Sequence, residues 1–448
     1  MSRRFALCSA AIGVTTASLA ACGPSPVDPK RQIGANPYLP DIHQYLLPPM
    51  HVAKIVGWGD AKPTVAAGLK VEALATGLKG PRSVYVLPNG DILVVETGGP
   101  KAPINRPKEF VMAWVEKQAH SPTKPGNRIL LFRDNGSGAP MTQTVFIDHL
   151  NSPFGVVLVG GDLYVANTDA VVRYPYQTGP TQITDPGVKL TDLPGGTINH
   201  HWTKSLTASP DGAKLYAGVG SNSNITENGL PAEFERASVW EIDRATGAHR
   251  LYATGLRNPN GLQFEPTTHV LWAVVNERDE LGPDLVPDYL TSVKDGAFYG
   301  WPYSYYGQHV DPRVRPQRPD LVAKAIPPDY ALSSHVAPLG MVFNTGASLP
   351  AQYSSGAFVG EHGSWDRSVL NGYKVVYVPF TGGRPSGMAQ DMVTGFLTPD
   401  DKARGRPVGL AMDAKGGLLI ADDVGNTVWR VTGIGANPLF PKEERHDR

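Results

Sequence analysis

A unit of two short apolar strands joined by a tight turn recurs six times along this chain, and that recurrence constrains the fold more than any other feature. One copy reads Pro81-Arg82-Ser83-Val84, turns at Pro88-Asn89-Gly90, and continues as Ile92-Leu93-Val94-Val95-Glu96. Others open at Pro153, Thr203, Pro259, Pro338 and Pro407 and close on runs such as Leu163-Tyr164-Val165-Ala166 or Leu418-Leu419-Ile420-Ala421. Apolar runs bounded by Pro, Asn and Gly read as hairpin strands. Six copies at irregular spacings of about 50 to 80 residues fit four-stranded blades with loops inserted between strands, which a β-sandwich does not require. Residues 128–132, 238–242 and 373–378 supply further strands. The expected fold is therefore all-β, a six-bladed β-propeller with inserted loops. A short helix is expected over residues 109–118, and Trp301, Tyr303, Tyr305 and Tyr306 form an aromatic cluster on a long loop, expected to cap a binding face.

Composition supports many turns over long helices: the 448 residues include 49 Gly and 41 Pro and are only 18% charged. A net charge of zero gives no footing for nucleic acid. The N-terminus places Arg3-Arg4 before an apolar stretch ending in Leu19-Ala20-Ala21-Cys22, which has the parts of a secretory signal. A small-residue site followed at once by Cys resembles the bacterial lipobox, in which the cysteine is acylated and becomes the first residue; a plain signal cleaved nearby is the alternative. The apolar stretch is too short to span a bilayer. The expected organisation is a signal over residues 1–21, a tether over 22–45 starting at the lipidated Cys22, the propeller over 46–435 and a polar tail over 436–448. Export follows, with the membrane contacted through the lipid alone, in the periplasm and at the outer membrane if the cell has one. Cys8 leaves with the signal, so neither thiol chemistry nor a disulfide is available to the mature chain.

In a propeller the innermost strands line a central channel, so residues leading into them converge from distant parts of the chain. Asn151, His201 and Arg257 stand two residues before the first strand position, Arg404 and Arg406 precede Pro407, Arg82 follows Pro81, and His335 leads into the fifth unit. Cationic groups and imidazoles around a channel mouth suit an anionic cofactor or substrate, with a histidine available as a base near neutral pH. Singly, each of these residues also serves as an ordinary hydrogen-bonded turn residue.

Three stretches carry a resemblance to a known family: Gly255-Leu256-Arg257-Asn258-Pro259-Asn260-Gly261-Leu262, Gly300-Trp301-Pro302, and His201 five residues before Leu206. From about Val71 to Val431 the chain resembles the quinoprotein glucose/sorbosone dehydrogenases, β-propeller enzymes that use pyrroloquinoline quinone (PQQ) and calcium. Val275-Asn276-Glu277-Arg278-Asp279 and Gly360-Glu361-His362-Gly363-Ser364-Trp365-Asp366-Arg367 are most similar to the sorbosone dehydrogenase branch. The resemblance implies His201 as the base that takes a substrate hydroxyl proton, and Arg257 as the arginine beside the quinone oxygen. It implies Asn258, Arg404 and Arg406 as cofactor contacts, joined by Arg82, His362, Trp365 and Asp366. Three cofactor carboxylates call for such arginines. Where the glucose enzymes set Gly-Pro carbonyls on calcium, this chain reads Arg278-Asp279-Glu280, so Asp279 and Glu280 are the expected side-chain ligands; a solvated acidic loop is the alternative. Leu150-Asn151 replaces their substrate glutamine, and His200 replaces the Asp beside the base.

The expected activity is oxidation of a sugar, a sorbosone-like sugar aldehyde or a related alcohol, with electrons passed to an external quinone or cytochrome. The alternatives are a calcium-dependent lactonase, which needs a carboxylate and amide cage, and a non-catalytic lipoprotein propeller that binds sugar or protein.

Overall fold

Each of the six sequence units forms the two inner strands of an antiparallel sheet, four-stranded in four blades and extended by further strands in blades four and five, and the six sheets stand around a common axis. The computed structural model describes residues 26–43, 50–100, 123–136 and 141–436. Cys22, the expected helix over 109–118 and the tail from 437 lie outside the described residues. The inner strands, from blade one to blade six, are Pro81–Val86, Gly155–Val159, Leu206–Ala208, Pro259–Phe264, Pro338–Phe343 and Pro407–Met412. Blade six takes its outermost strand, Leu69–Ala75, from the start of the propeller, so first and last strands pair and the ring closes.

The second strands are apolar at nearly every position because both of their faces are covered. Ile92–Glu96, Leu271–Val275 and Gly356–Glu361 are buried throughout. Six apolar clusters fill the wedges between neighbouring blades; the largest, between blades five and six, holds Trp58, Tyr353, Phe358, Tyr377 and Trp429. At the hub the inner strands approach so closely that side chains must be absent. A Cβ on Gly340 would stand 2.1 Å from the carbonyl oxygen of Val408, and one on Gly409 would stand 2.7 Å from that of Arg82. Both glycines lie two residues after the lead-in proline. In the same blades, and in blades one and four, the register with the second strand slips near the start of the inner strand. Such bulges bend a strand and re-aim the side chains beside it.

The described part of the expected tether is seated on the protein. Ile33–Gly34 adds a fifth strand to blade four, pairing with Tyr330–Ser334. Gln32, with no exposed surface, donates to the carbonyl of Asp284 (2.5 Å) and accepts from the Ser334 hydroxyl (2.9 Å). The long loop after blade four also differs from expectation: Trp301, Tyr303, Tyr305 and Tyr306 are all buried. Their rings fill the space behind blade four, and Trp301 reaches the site only through its indole N–H, donated to the carbonyl of Asn224 (3.0 Å). Four adjacent aromatic residues exclude more water inside than they do as a surface cap.

Candidate functional site

Loops joining second to third strands, and those leading into first strands, share one face of the propeller, where they surround a cavity of about 320 Å³. Blade three supplies His201. Its Nδ1 stands 2.8 Å from the carbonyl oxygen of Ser221 and 3.0 Å from the Ser221 hydroxyl, which itself donates to the carbonyl of Ser223 (2.6 Å). A carbonyl only accepts, so Nδ1 carries the proton and Nε2 keeps its lone pair. Burial first, then the positive Arg257 and neighbouring His200, hold the His201 pKa well below the ordinary imidazole value. A neutral imidazole with Nε2 unprotonated is a base. Gly220 makes the arrangement fit, since a Cβ there would come within 2.4 Å of both His201 Cβ and Asn258 Oδ1. Beneath the turn, Lys204 has no exposed surface and donates to the carbonyls of Trp202 (3.2 Å) and His201 (3.4 Å).

Blade four supplies Arg257 and Asn258. Every N–H of the Arg257 guanidinium has a protein acceptor: Nε the carbonyl of Asn224, one terminal nitrogen those of Asn276 and Glu277, the other Asn224 Oδ1 (3.0 Å) and Asp279 Oδ2 (3.3 Å). The fork is locked, so its charge is available to the cavity while its donors are committed. Asn258 is buried, and its Oδ1 has no hydrogen-bond partner among the described residues. Along the next loop Glu277, Asp279 and Glu280 face the cavity, while Arg278 turns away to pair with Asp311 (2.9 Å), both only 1% exposed. Burial raises the carboxyl of Glu277 to about 7 and that of its neighbour Asp288 to about 7.

Blade five contributes His335, with Ser333, His335 and Ala337 all in the left-handed region at φ 82°, 57° and 51°. His335 Nδ1 faces Asp279 Oδ1 (3.2 Å) and Nε2 faces the carbonyl of Gly282 (3.1 Å). Both partners accept, so both nitrogens donate and the ring is an imidazolium. Burial opposes that charge, but Asp279 and Asp366 overcome it and lift the pKa to about 9. Asp279, His335 and Asp366 present ligand atoms within 4.8 Å of one another, yet this cluster is closed by its own proton.

Blades six and one form the opposite wall. Arg406 donates to the carbonyls of His362 (3.0 Å) and Gly363 (2.9 Å) and to the Tyr373 hydroxyl (3.1 Å). Arg82 pairs with Asp423 (2.7 Å) and lies over the Trp202 ring at 5.4 Å, while its buried Nε lacks a partner among the described residues. His362 also meets Asp423 (3.0 Å), yet burial pushes its pKa down to about 3, so it is neutral.

Of the residues singled out in the sequence, Arg82, His201, Arg257, Asn258, Arg406, His362 and Trp365 thus line one cavity, as do Asp279, Glu280 and His335. Others do not. Arg404 continues the side ladder of Lys402–Ala403, its N–H bonded to the carbonyl of Phe396 (2.8 Å), and Gly405, against the Asp422 carboxylate, separates it from the hub. Asn151 turns outward to Asp169 (2.8 Å). Asp366 lies behind the wall, accepting from the Glu280 N–H (3.0 Å), where it supports Asp279 and His335. The pair expected on calcium is already committed: Asp279 to Arg257 and His335, Glu280 to Arg313 (3.1 Å). Sequence reasoning missed Asn224, Asp288, Lys204 and Asp423. The acidic Asp422-Asp423 pair closing the last unit was a usable signal for the last of these.

Residues 161–365 match the glucose/sorbosone dehydrogenase family model, and residues 318–433 match a TrAA12-like model. A protein of Borreliella burgdorferi is 28% identical over 294 residues, covering 63% of this chain and 76% of its own. A pyrroloquinoline quinone-dependent sugar dehydrogenase of Hypocrea jecorina is 23% identical over 351 residues, covering 68% and 74%. The fold is shared with the PQQ domain of pyranose dehydrogenase from Coprinopsis cinerea, at a TM-score of 0.67 and 20% identity over 83% of this chain and 97% of that one. On a six-bladed propeller whose hub gathers arginines and histidines around one cavity, residues 161–365 of this chain match a glucose/sorbosone dehydrogenase domain.

Proposed function

We propose that the cavity binds PQQ and that the protein is a quinoprotein dehydrogenase of sugars, sugar aldehydes such as sorbosone, or related alcohols. The observation that carries this reading is His201, whose Nδ1–H is spent on Ser221 so that Nε2 stands as a base in a cavity lined by Arg82, Arg257 and Arg406. Three guanidinium groups suit a cofactor with three carboxylates. The buried orphans Arg82 Nε and Asn258 Oδ1, one donor and one acceptor, are what a polar planar ligand would satisfy. When bound, PQQ supplies the two-electron acceptor. The protein's part is to place a substrate hydroxyl against His201, which takes its proton at Nε2. The fixed charge of Arg257 favours negative charge developing nearby, and the walls withdraw both partners from water.

Calcium does not fit as simply. Asp279 and Glu280 are ion-paired and both nitrogens of His335 donate, so the residues here make no open oxygen cage. The same commitments count against a calcium-dependent lactonase. The lipobox-like Leu19-Ala20-Ala21-Cys22 supports export and acylation at Cys22, with an external quinone or cytochrome as electron acceptor.

The test is to titrate the mature protein with PQQ, following quenching of the Trp202 and Trp365 fluorescence, then to measure dye reduction with aldoses, sorbosone and simple alcohols. Saturable binding with sugar-dependent reduction is expected. Absence of PQQ binding overturns the proposal and leaves the non-catalytic propeller.

A further inference from the structure

The first described residues of the chain are fastened to the face that bears the cavity. The backbone N–H of Val27 donates to Asp284 Oδ2 (3.1 Å). Asp284 belongs to the loop between Leu271–Val275 and Pro287–Ser292, the same loop that sends Glu277 and Asp279 into the cavity. Its other oxygen accepts from Arg367 (2.7 Å), two residues from the lining Trp365. Four residues lie between Cys22 and Val27, and the five Cα–Cα steps span at most about 18 Å when fully extended. A lipid on Cys22 therefore holds this loop, beside the cavity, within about that distance of a bilayer.

An independent feature lies on the same face. Phe234, the most exposed large hydrophobic among the described residues at 74%, lies on the loop between Lys214–Val219 and Ser238–Asp243. Val369, 55% exposed, tips the loop between Gly356–Glu361 and Lys374–Thr381. Both loops run from second to third strands and so project beside the cavity mouth. Exposed apolar tips beside a short lipid leash are what an interfacial surface needs.

We propose that the cavity-bearing face of the propeller rests against a lipid bilayer, held by acylated Cys22 on a four-residue leash and seated through Phe234 and Val369. This rests on the lipoprotein reading above. The sugar then enters from the side, between propeller and headgroups, and an acceptor dissolved in the membrane meets the mouth directly.

The sequence makes the test clean, because Cys8 and Cys22 are its only two cysteines. Full-length protein is expressed with its signal as Phe234→Cys, Val369→Cys, Val270→Cys or Val188→Cys, labelled with a thiol fluorophore. Each is then reconstituted into phosphatidylethanolamine and phosphatidylglycerol vesicles carrying a nitroxide lipid. Val270 and Val188 are exposed on the opposite face, near the hairpin after Pro259–Phe264 and at the start of Val188–Asp192. Interfacial side chains sit ~5–10 Å into the headgroup boundary, so quenching at positions 234 and 369 is expected to be on the order of twofold or more that at 270 and 188. The mass of the N-terminal peptide reports acylation separately. An acylated Cys22 with equal or reversed quenching overturns the proposed orientation and leaves the anchor standing. An unacylated Cys22 overturns the anchor and the orientation with it.

Discussion

The two walls of the cavity are built from similar residues and differ in how their charges are settled. On the blade four and five side, Arg257 and His335 are matched by Asp279, with Asp366 behind, and each donor has a protein acceptor. On the blade six and one side, Arg82 shares Asp423 with the neutral His362, and the buried Arg82 Nε lacks a hydrogen-bond partner among the described residues. A balanced network is rigid and already satisfied, whereas a buried cationic excess is stable only when something anionic completes it. In the proposed function the first wall would therefore orient the chemistry and the second would hold the cofactor.

The largest expected effect is at the proposed base, His201, between the walls. His201→Ala should lower turnover by about 10²–10⁴-fold, the usual range for a positioned general base, with PQQ affinity unchanged in a binding titration. Because His201 stays neutral well below the ordinary imidazole value, the acid limb of kcat/KM should fall below pH ~6.5 in the wild-type protein. A limb near or above that value would mean another group is the base.

The walls are separated by the next pair. Arg82→Ala should weaken PQQ binding by roughly 10–100-fold, the loss of one charge-assisted hydrogen bond. Asp279→Asn should affect turnover more than affinity, since it frees Arg257 and His335 together. Equal losses of affinity in both variants would erase the proposed division.

A smaller effect concerns stability. Burial raises the carboxyl of Glu361 to about 8, and its Oε2 has no partner among the described residues. A folded-state pKa above the unfolded value of ~4.3 stabilises fully at low pH, and that contribution is lost as pH rises through about 8. The depressed His362, at about 3, acts in the opposite sense: its contribution is present above the unfolded value of ~6.5 and lost as pH falls. Thermal unfolding should therefore show Tm declining above pH ~6.5, where the raised carboxyls and His335, lifted to about 9, both lose their contributions, and Glu361→Gln should lessen that decline. An unchanged slope would assign it elsewhere. The smallest expected effect is on metal removal: since the Asp279 cluster is closed by a proton, a chelator should leave the Tm of the cofactor-free protein unchanged. A Tm lowered by chelation would show that the first wall holds a cation after all.

The six hairpin units were legible because alternating apolar runs and Pro, Asn and Gly turns are local signals, and propeller geometry carries the residues before each inner strand to the hub. That logic located His201, Arg257, His335 and Arg406. It failed for Asn151 and Arg404, because spacing along the chain does not say which way a side chain turns after a bulge or a glycine. It also misjudged the aromatic cluster, since exposure depends on what packs over a loop. The part of the expected tether that is described proved to be a strap, its anchor Gln32 satisfied by groups some 250 and 300 residues away in sequence.

By itself the sequence determined the propeller, the number of its blades and which residues lead into the hub, His201 among them, since periodicity, turn chemistry and residue type are written position by position. Only the tertiary structure decided which charges are spent on one another. Asp279 serves as a counter-ion, Asp423 joins two blades at the hub, and His201 presents Nε2, because ion pairs, burial and tautomers depend on distances between residues that the chain order leaves far apart.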